Sequence, residues 1–308
     1  MEKKNLNLIK TVCLIILAGL ILFVFILNHL NLLNYGFFDG PNELRIKGYN
    51  GEDQLSLKQF IVMGIIFALI IFISVYLKHI KEKDLYFIYK FLALFMPILE
   101  ISKIFFSTYY DFKYGEPFNF GGILPLYTCS MLLYFLPFVA FGKGWIKRVS
   151  MAFFTSIGLI AGLSNFIYLS AASWYPIFTF GGLYSVIFHA VIVFIGISLL
   201  ITKQYIPSFK TIFEGMIPVL IFSIIVIPAN FIIKSIPGYE YVDYMLFMNA
   251  NGFIPIISNF FINRHIQLLF SLFMLFIIYP IATTIIVLIE LGIIKIFNKQ
   301  TNNIGEIN

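Results

Sequence analysis

Charge is scarce in this chain. Only 12% of its 308 residues are Asp, Glu, Lys or Arg, about half of what a soluble domain carries. Cysteine is scarcer still, with two residues, Cys13 and Cys129, both inside hydrophobic runs. That excludes a disulfide framework. No Cys-x-x-Cys pair and no His-rich spacing is present, so no metal centre and no cofactor is expected. No polar stretch exceeds about thirty residues, too little for a soluble domain. Basic residues do not cluster on a soluble face, which argues against nucleic-acid binding.

Apolar sequence fills the rest. The chain is 60% hydrophobic and 19% aromatic. Eight apolar runs recur, at roughly 8–33, 57–77, 85–108, 124–142, 150–169, 181–202, 212–233 and 266–296. Each is long enough to cross about 30 Å of hydrocarbon as a helix. The expected fold is therefore all-α: one integral membrane domain over 1–308, a polytopic bundle of about eight transmembrane spans without a soluble domain. The first run follows Lys3, Lys4 and Lys10 as a signal peptide would. Its length and the lack of a small-x-small site predict an uncleaved span.

Basic residues alternate with loop number. Fourteen fall on one side, among them Lys78, Lys81, Lys83, Lys143, Lys147, Arg148, Lys203 and Lys210. Six fall on the other, and Lys103 lies within a run. The asymmetry predicts a cell-membrane protein with both termini in the cytoplasm. The 34–56 loop on the outer side is acidic, with turn signals at Gly40-Pro41 and Asn50-Gly51. The 170–180 loop carries Trp174 and Tyr175 without charge and reads as interfacial. Residues 239–261 are too aromatic for a free loop and read as an interfacial lid.

Polar residues inside apolar runs are costly and need a reason. Glu100 and Lys103 lie three apart on one helical face. They either neutralise each other or line a polar pocket in which Glu100 orients a histidine. Gly158, Gly162 and Asn165 share a face suited to close helix contact, with Asn165 bonding across it. Asn230 follows Pro228 and either lines a pocket or repairs a backbone group. Gly182, Ser185, His189 and Gly196 form one stripe. A lone His or Cys of this kind is more often packing than chemistry. Counting helical rise places Cys129 and His189 about 8 and 10 Å from the outer end and Glu100 about 12 Å. Depth thus gathers the polar groups into one outer chamber.

Leu124-Pro125-Leu126-Tyr127-Thr128-Cys129-Ser130 resembles the L-P-L-H-x-C motif of the YwaF-like bacterial integral membrane proteins. Phe188-His189-Ala190 is similar to their H-G-x-I segment. Asn230 followed by Asp243-Tyr244-Met245 resembles their paired N…N-Y-M element. The resemblance covers roughly 85–290. Tyr127, Ala190 and Asp243 depart from it, standing where His, Gly and Asn are usual.

That family resembles an animal transmembrane acyltransferase of ether phospholipids that is proposed to use a Cys/His pair. The resemblance implies Cys129 as acyl-accepting nucleophile and His189 as its base. Glu100, Lys103, Asn165, Ser185, Asn230 and Tyr244 would line or orient the pocket. The leading expectation is a lipid acyltransferase or lipid hydrolase near the outer leaflet, with membrane lipids as partners. The rival is a non-catalytic transporter or lipid- or solute-binding protein with the same pocket.

Overall fold

The computed structural model describes residues 35–116, 123–237, 244, 269 and 273–305. Its elements are helical, and no strand occurs among the described residues. Among the described residues five helical segments, Leu57–Leu77, Glu82–Tyr114, Gly144–Ser173, Phe180–Ile201 and Phe209–Lys234, are long and apolar enough to cross a membrane. The expected first span, 8–33, lies outside the described residues, as does the 239–261 lid apart from Tyr244.

A short helix, α1 (Pro41–Ile46), precedes the bundle. The Glu43 side chain accepts from the Gly40 amide at 3.2 Å and Pro41 opens the first turn. The expected Gly40-Pro41 turn is thus a helix start. Helix α2 (Leu57–Leu77) begins at Ser56, whose hydroxyl accepts from the Gln59 amide at 3.1 Å. Helix α3 (Glu82–Tyr114) has 33 residues, about 50 Å of helix, so it overshoots a bilayer core. Gly115 ends it at φ 65°, a left-handed cap that glycine takes without strain.

The run at 124–142, expected as a full span, folds differently. Residues 127–130 form a turn, and helix α4 (Met131–Phe141) has only 11 residues. Pro125 supplies no amide for a helix start upstream. Gly142 ends α4 in extended backbone. Helices α5 (Gly144–Thr155) and α6 (Ile157–Ile167) occupy the next run, broken at Ser156. There the Ser156 hydroxyl bonds back to the Ala152 carbonyl at 2.5 Å, competing with the helical ladder. A 3₁₀ turn, Ser170–Ser173, follows. Helices α7 (Phe180–Ile201) and α8 (Phe209–Lys234) match their apolar runs within three residues. A π-turn at Met274–Ile278 leads into α9 (Tyr279–Gly305).

Helix α7 is central and packs against α2, α3, α5 and α6. One of its sides meets a cluster of Tyr89, Met96, Met131, Phe153, Phe188 and Leu199. Another meets Met63, Ile70, Leu159, Phe166 and Val193. By contrast, α2 and α3 turn large side chains outward, with Phe72 72% and Phe105 74% exposed. Such a continuous apolar exterior suits lipid contact.

Cross-helix bonds fix the directions. Tyr89, early in α3, bonds Ser198, late in α7, at 2.9 Å. Glu100, further along α3, meets Tyr184 near the start of α7, so these helices are antiparallel. Arg148 and Glu214 pair near the starts of α5 and α8, which therefore run parallel. Lys78, Lys81, Lys83, Lys143, Lys147, Arg148, Lys203 and Lys210 consequently collect at one end, the basic end.

The opposite end carries a clasp formed by residues 35–56. Tyr110 donates to the Phe38 carbonyl, Lys113 to Glu43, and Tyr49 to the Ala172 carbonyl. Asp53 accepts from Lys58 at 2.9 Å and from the Ile177 amide at 2.9 Å. Partial burial alone would raise the Glu43 carboxyl, but Lys113, the Gly40 amide and the neighbouring tyrosines bring it down to about 2.

Glycine sets two of the close approaches in the bundle. A Cβ on Gly196 would lie 2.5 Å from the Phe154 backbone carbonyl. One on Gly162 would lie 2.6 Å from a Val193 methyl. A methyl group can rotate away, whereas a helix carbonyl cannot. Gly196→Ala is therefore expected to lower stability by about 1–3 kcal/mol, and Gly162→Ala by clearly less. Thermal unfolding of both variants in detergent checks the order. Equal losses would contradict it.

Candidate functional site

The polar residues of the half-bundle near the clasp divide into two groups around α7. The first is built on α3. Glu100 is 4% exposed. One carboxylate oxygen accepts from Lys103 at 3.2 Å, and the other accepts from the Tyr184 hydroxyl. The Lys103 ammonium also sits 5.7 Å from the centre of the Tyr184 ring. Glu100 and Lys103 share a face because they are three residues apart. Tyr184 comes from the first turn of α7.

Cys129 joins this group from the turn before α4. Its thiol is free and half-buried. It lies within electrostatic range of Glu100, and Tyr184 lies within the same range of it. The turn is held by hydrogen bonds from the Met131 amide to the Thr128 carbonyl, 3.3 Å, and from the Leu132 amide to the Cys129 carbonyl, 3.1 Å. Thr128 also meets the Tyr279 hydroxyl at 3.5 Å.

Asn230 and Tyr244 close the same side. Asn230 donates through Nδ2 to the Tyr244 carbonyl at 2.9 Å and accepts the Tyr244 amide at 2.8 Å. Its side chain thus stands in for a paired backbone. Tyr244 is fully buried, and its ring meets Tyr127 edge-on at 5.5 Å between centres. The segments carrying Tyr127, Asn230 and Tyr244 therefore converge.

The second group is His189 and Ser185, with Asn165 on the neighbouring helix α6. The Nδ1 atom of His189 lies 2.7 Å from the Ser185 carbonyl, with the Ser185 hydroxyl at 3.5 Å. A carbonyl only accepts, so Nδ1 carries the proton and Nε2 holds a lone pair. Nε2 is buried without a hydrogen-bond partner among the described residues. His189 is five residues beyond Tyr184, about 140° around the helix. Tyr184 faces Glu100 on α3. The backbone of His189 lies opposite Gly162 on α6, and Gly196, on the same stripe, lies against α5.

The expected stripe of Gly182, Ser185, His189 and Gly196 thus serves mainly as a packing face. Glu100 does not orient the imidazole, because its two oxygens meet Lys103 and Tyr184. No Cys129–His189 hydrogen bond occurs among the described residues. Asn165, expected to bond across the α6–α7 contact, instead keeps a buried Oδ1 with no partner among the described residues.

Two polar residues escaped the sequence reading. Tyr184 is one, since a tyrosine at the start of an apolar run reads as an interfacial anchor. The other is Glu290, 7% exposed on α9, with both oxygens unpartnered among the described residues. Its signal was an acid within the last apolar run. Among the described residues no three of His, Cys, Asp or Glu gather as metal ligands.

No family model, curated protein or solved structure matches the chain.

Proposed function

We propose that the chain is a multi-pass membrane protein with cytoplasmic termini, whose chamber near the clasp binds the polar part of a membrane lipid. One observation carries this reading: the Glu100–Lys103 ion pair, bonded to the Tyr184 hydroxyl and with a free thiol beside it, inside a mostly apolar bundle. Buried ion pairs are poor stabilisers, and intramembrane charges commonly mark a binding site or pathway. Lys103 supports lateral entry. Its side chain is 21% exposed on α3, the helix that turns most of its surface outward. A lipid phosphate or ester oxygen approaching from the bilayer would meet its ammonium first.

The acyltransferase or hydrolase reading is favoured by the fixed tautomer of His189, whose unpartnered Nε2 is ready to accept a proton. In that reaction the Cys129 sulfur bonds the ester carbonyl carbon. The thiol proton passes to Nε2 and then to the departing alkoxide. Water or an acceptor hydroxyl resolves the thioester. The step requires Nε2 and the thiol to meet, directly or through water, across the α7 surface.

Lipid extraction from the purified protein, followed by mass spectrometry, separates the two readings. Under the binding reading, Lys103→Met loses most of the co-purifying lipid and Cys129→Ala keeps it, with no thioester in either. A lipid acyl group covalently held by Cys129, absent from Cys129→Ala, would establish the catalytic reading. Undiminished lipid in Lys103→Met would overturn the binding one.

A further inference from the structure

At the basic end, a cavity of about 370 Å³ opens between the start of α5 and the turn joining α7 to α8. Lys147, Arg148, Lys203, Gln204 and Tyr205 line it. We propose that this cavity is a second site, separate from the chamber, that binds the phosphate of an anionic lipid headgroup.

Three cations line the cavity, and their placement leaves positive charge facing it. Arg148 pairs with Glu214. The Lys147 ammonium rests 3.8 Å above the Tyr86 ring, which holds it in place without neutralising it. Lys203 is exposed and has no ion pair among the described residues. Glu290 lies within electrostatic range of Tyr205 but does not line the cavity. Gly144, at the first turn of α5, adds backbone amides that no side chain caps. These favour an anion, as does the positive end of the helix dipole. Met151 and Ile206 supply apolar wall, as a site needs when the anion carries acyl chains.

The backbone of Lys203 gives a second, independent reason. Its φ is 57°, in the left-handed region just past the end of α7. Glycine is the usual residue at such a cap, because a side chain there strains the backbone. Here a lysine occupies it, and that lysine lines the cavity. Strain kept at one position points to a use for the side chain. The cavity also lies at the ends of apolar helices, the level at which a bilayer-spanning helix would meet the lipid phosphates. Basic pockets between helices on that side bind anionic headgroups.

The variant Lys203→Gly tests the proposal without a folding ambiguity. It removes the ammonium while relaxing the backbone, so the protein should unfold at the same or a higher temperature. The full-length protein is reconstituted in phosphatidylcholine nanodiscs, and its binding of short-chain phosphatidic acid is titrated. Each lysine removed should weaken binding about fivefold. Lys203→Gly and Lys147→Gln should each show that loss, and together about twenty-five-fold. Short-chain phosphatidylcholine should not compete. Competition by inorganic phosphate at comparable concentration would assign the site to free phosphate and overturn the lipid proposal. Unchanged phosphatidic acid affinity in the double variant would overturn the site altogether. Because the chamber residues are untouched, failure here leaves the proposed function intact.

Discussion

Glu100→Ala is expected to lower the unfolding free energy by about 3–5 kcal/mol, read by denaturant titration in mixed micelles. The loss comes from what is left behind. Lys103 keeps its charge but loses the Glu100 carboxylate, and the Tyr184 hydroxyl loses its acceptor inside the bundle. Removing one partner of a buried pair costs far more than the pair contributes. Lys103 is partly exposed, so its ammonium can move toward the bilayer surface, placing the loss near the lower end of that range. The double variant Glu100→Leu/Lys103→Met removes both charges and should recover to within about 1 kcal/mol of the parent. Equal destabilisation by the single and double variants would show that packing, not the ion pair, carries the effect. Recovery of stability without recovery of bound lipid would mark the network as kept for binding.

Asn230→Leu should also be strongly destabilising, by about 2–4 kcal/mol, while Asn165→Leu should change stability by less than about 1 kcal/mol. The contrast rests on what each amide satisfies. Asn230 answers both the amide and the carbonyl of Tyr244, which is fully buried. Leucine would leave both backbone groups unpaired, each at the cost of desolvation. Asn165 has a buried oxygen with no partner among the described residues, so an apolar replacement removes an unmet polar atom instead of creating one. Thermal unfolding in one detergent, for both variants and the parent, measures the difference. Similar losses at the two positions would refute the latch between Asn230 and Tyr244.

These two asparagines also show how far the sequence could be read. Both were legible as polar residues in apolar runs, and Pro228 left two readings for Asn230, lining a pocket or repairing a backbone group. Which backbone group could not be read, because Tyr244 is fourteen residues away. Helices α2, α7 and α8 were legible nearly to the residue, since an apolar run bounded by charge leaves a helix few alternatives. The run at 124–142 was not. Its apolar composition hid the turn at 127–130, where local bonds to the Thr128 and Cys129 carbonyls replace a longer helix.

Depth was a useful coordinate but an incomplete one. Counting residues placed Glu100, Cys129 and His189 in the same half of the bundle. It carries no information about direction around the helix. Tyr184 faces α3 and completes the Glu100 network, while His189, five residues on, is turned about 140° away. One of the two sequence readings set the carboxylate against the histidine; the structure pairs it with Lys103, the other reading, and with a tyrosine. The packing role of Gly162 was legible from spacing, because small residues on one helix face admit a close neighbour, whereas Gly196 was legible only as a member of the His189 stripe.

The chamber's occupant is tested most directly by crosslinking. A phospholipid carrying a photoreactive group beside its ester is incorporated in proteoliposomes with the full-length protein. After irradiation, the labelled peptides are mapped by mass spectrometry. A lipid held by the Glu100, Lys103, Tyr184 and Cys129 group should label residues 100–103 and 127–130, and Lys103→Met should abolish that labelling. Labelling spread evenly along the outward faces of α2 and α3, unchanged in Lys103→Met, would contradict the chamber as a lipid site.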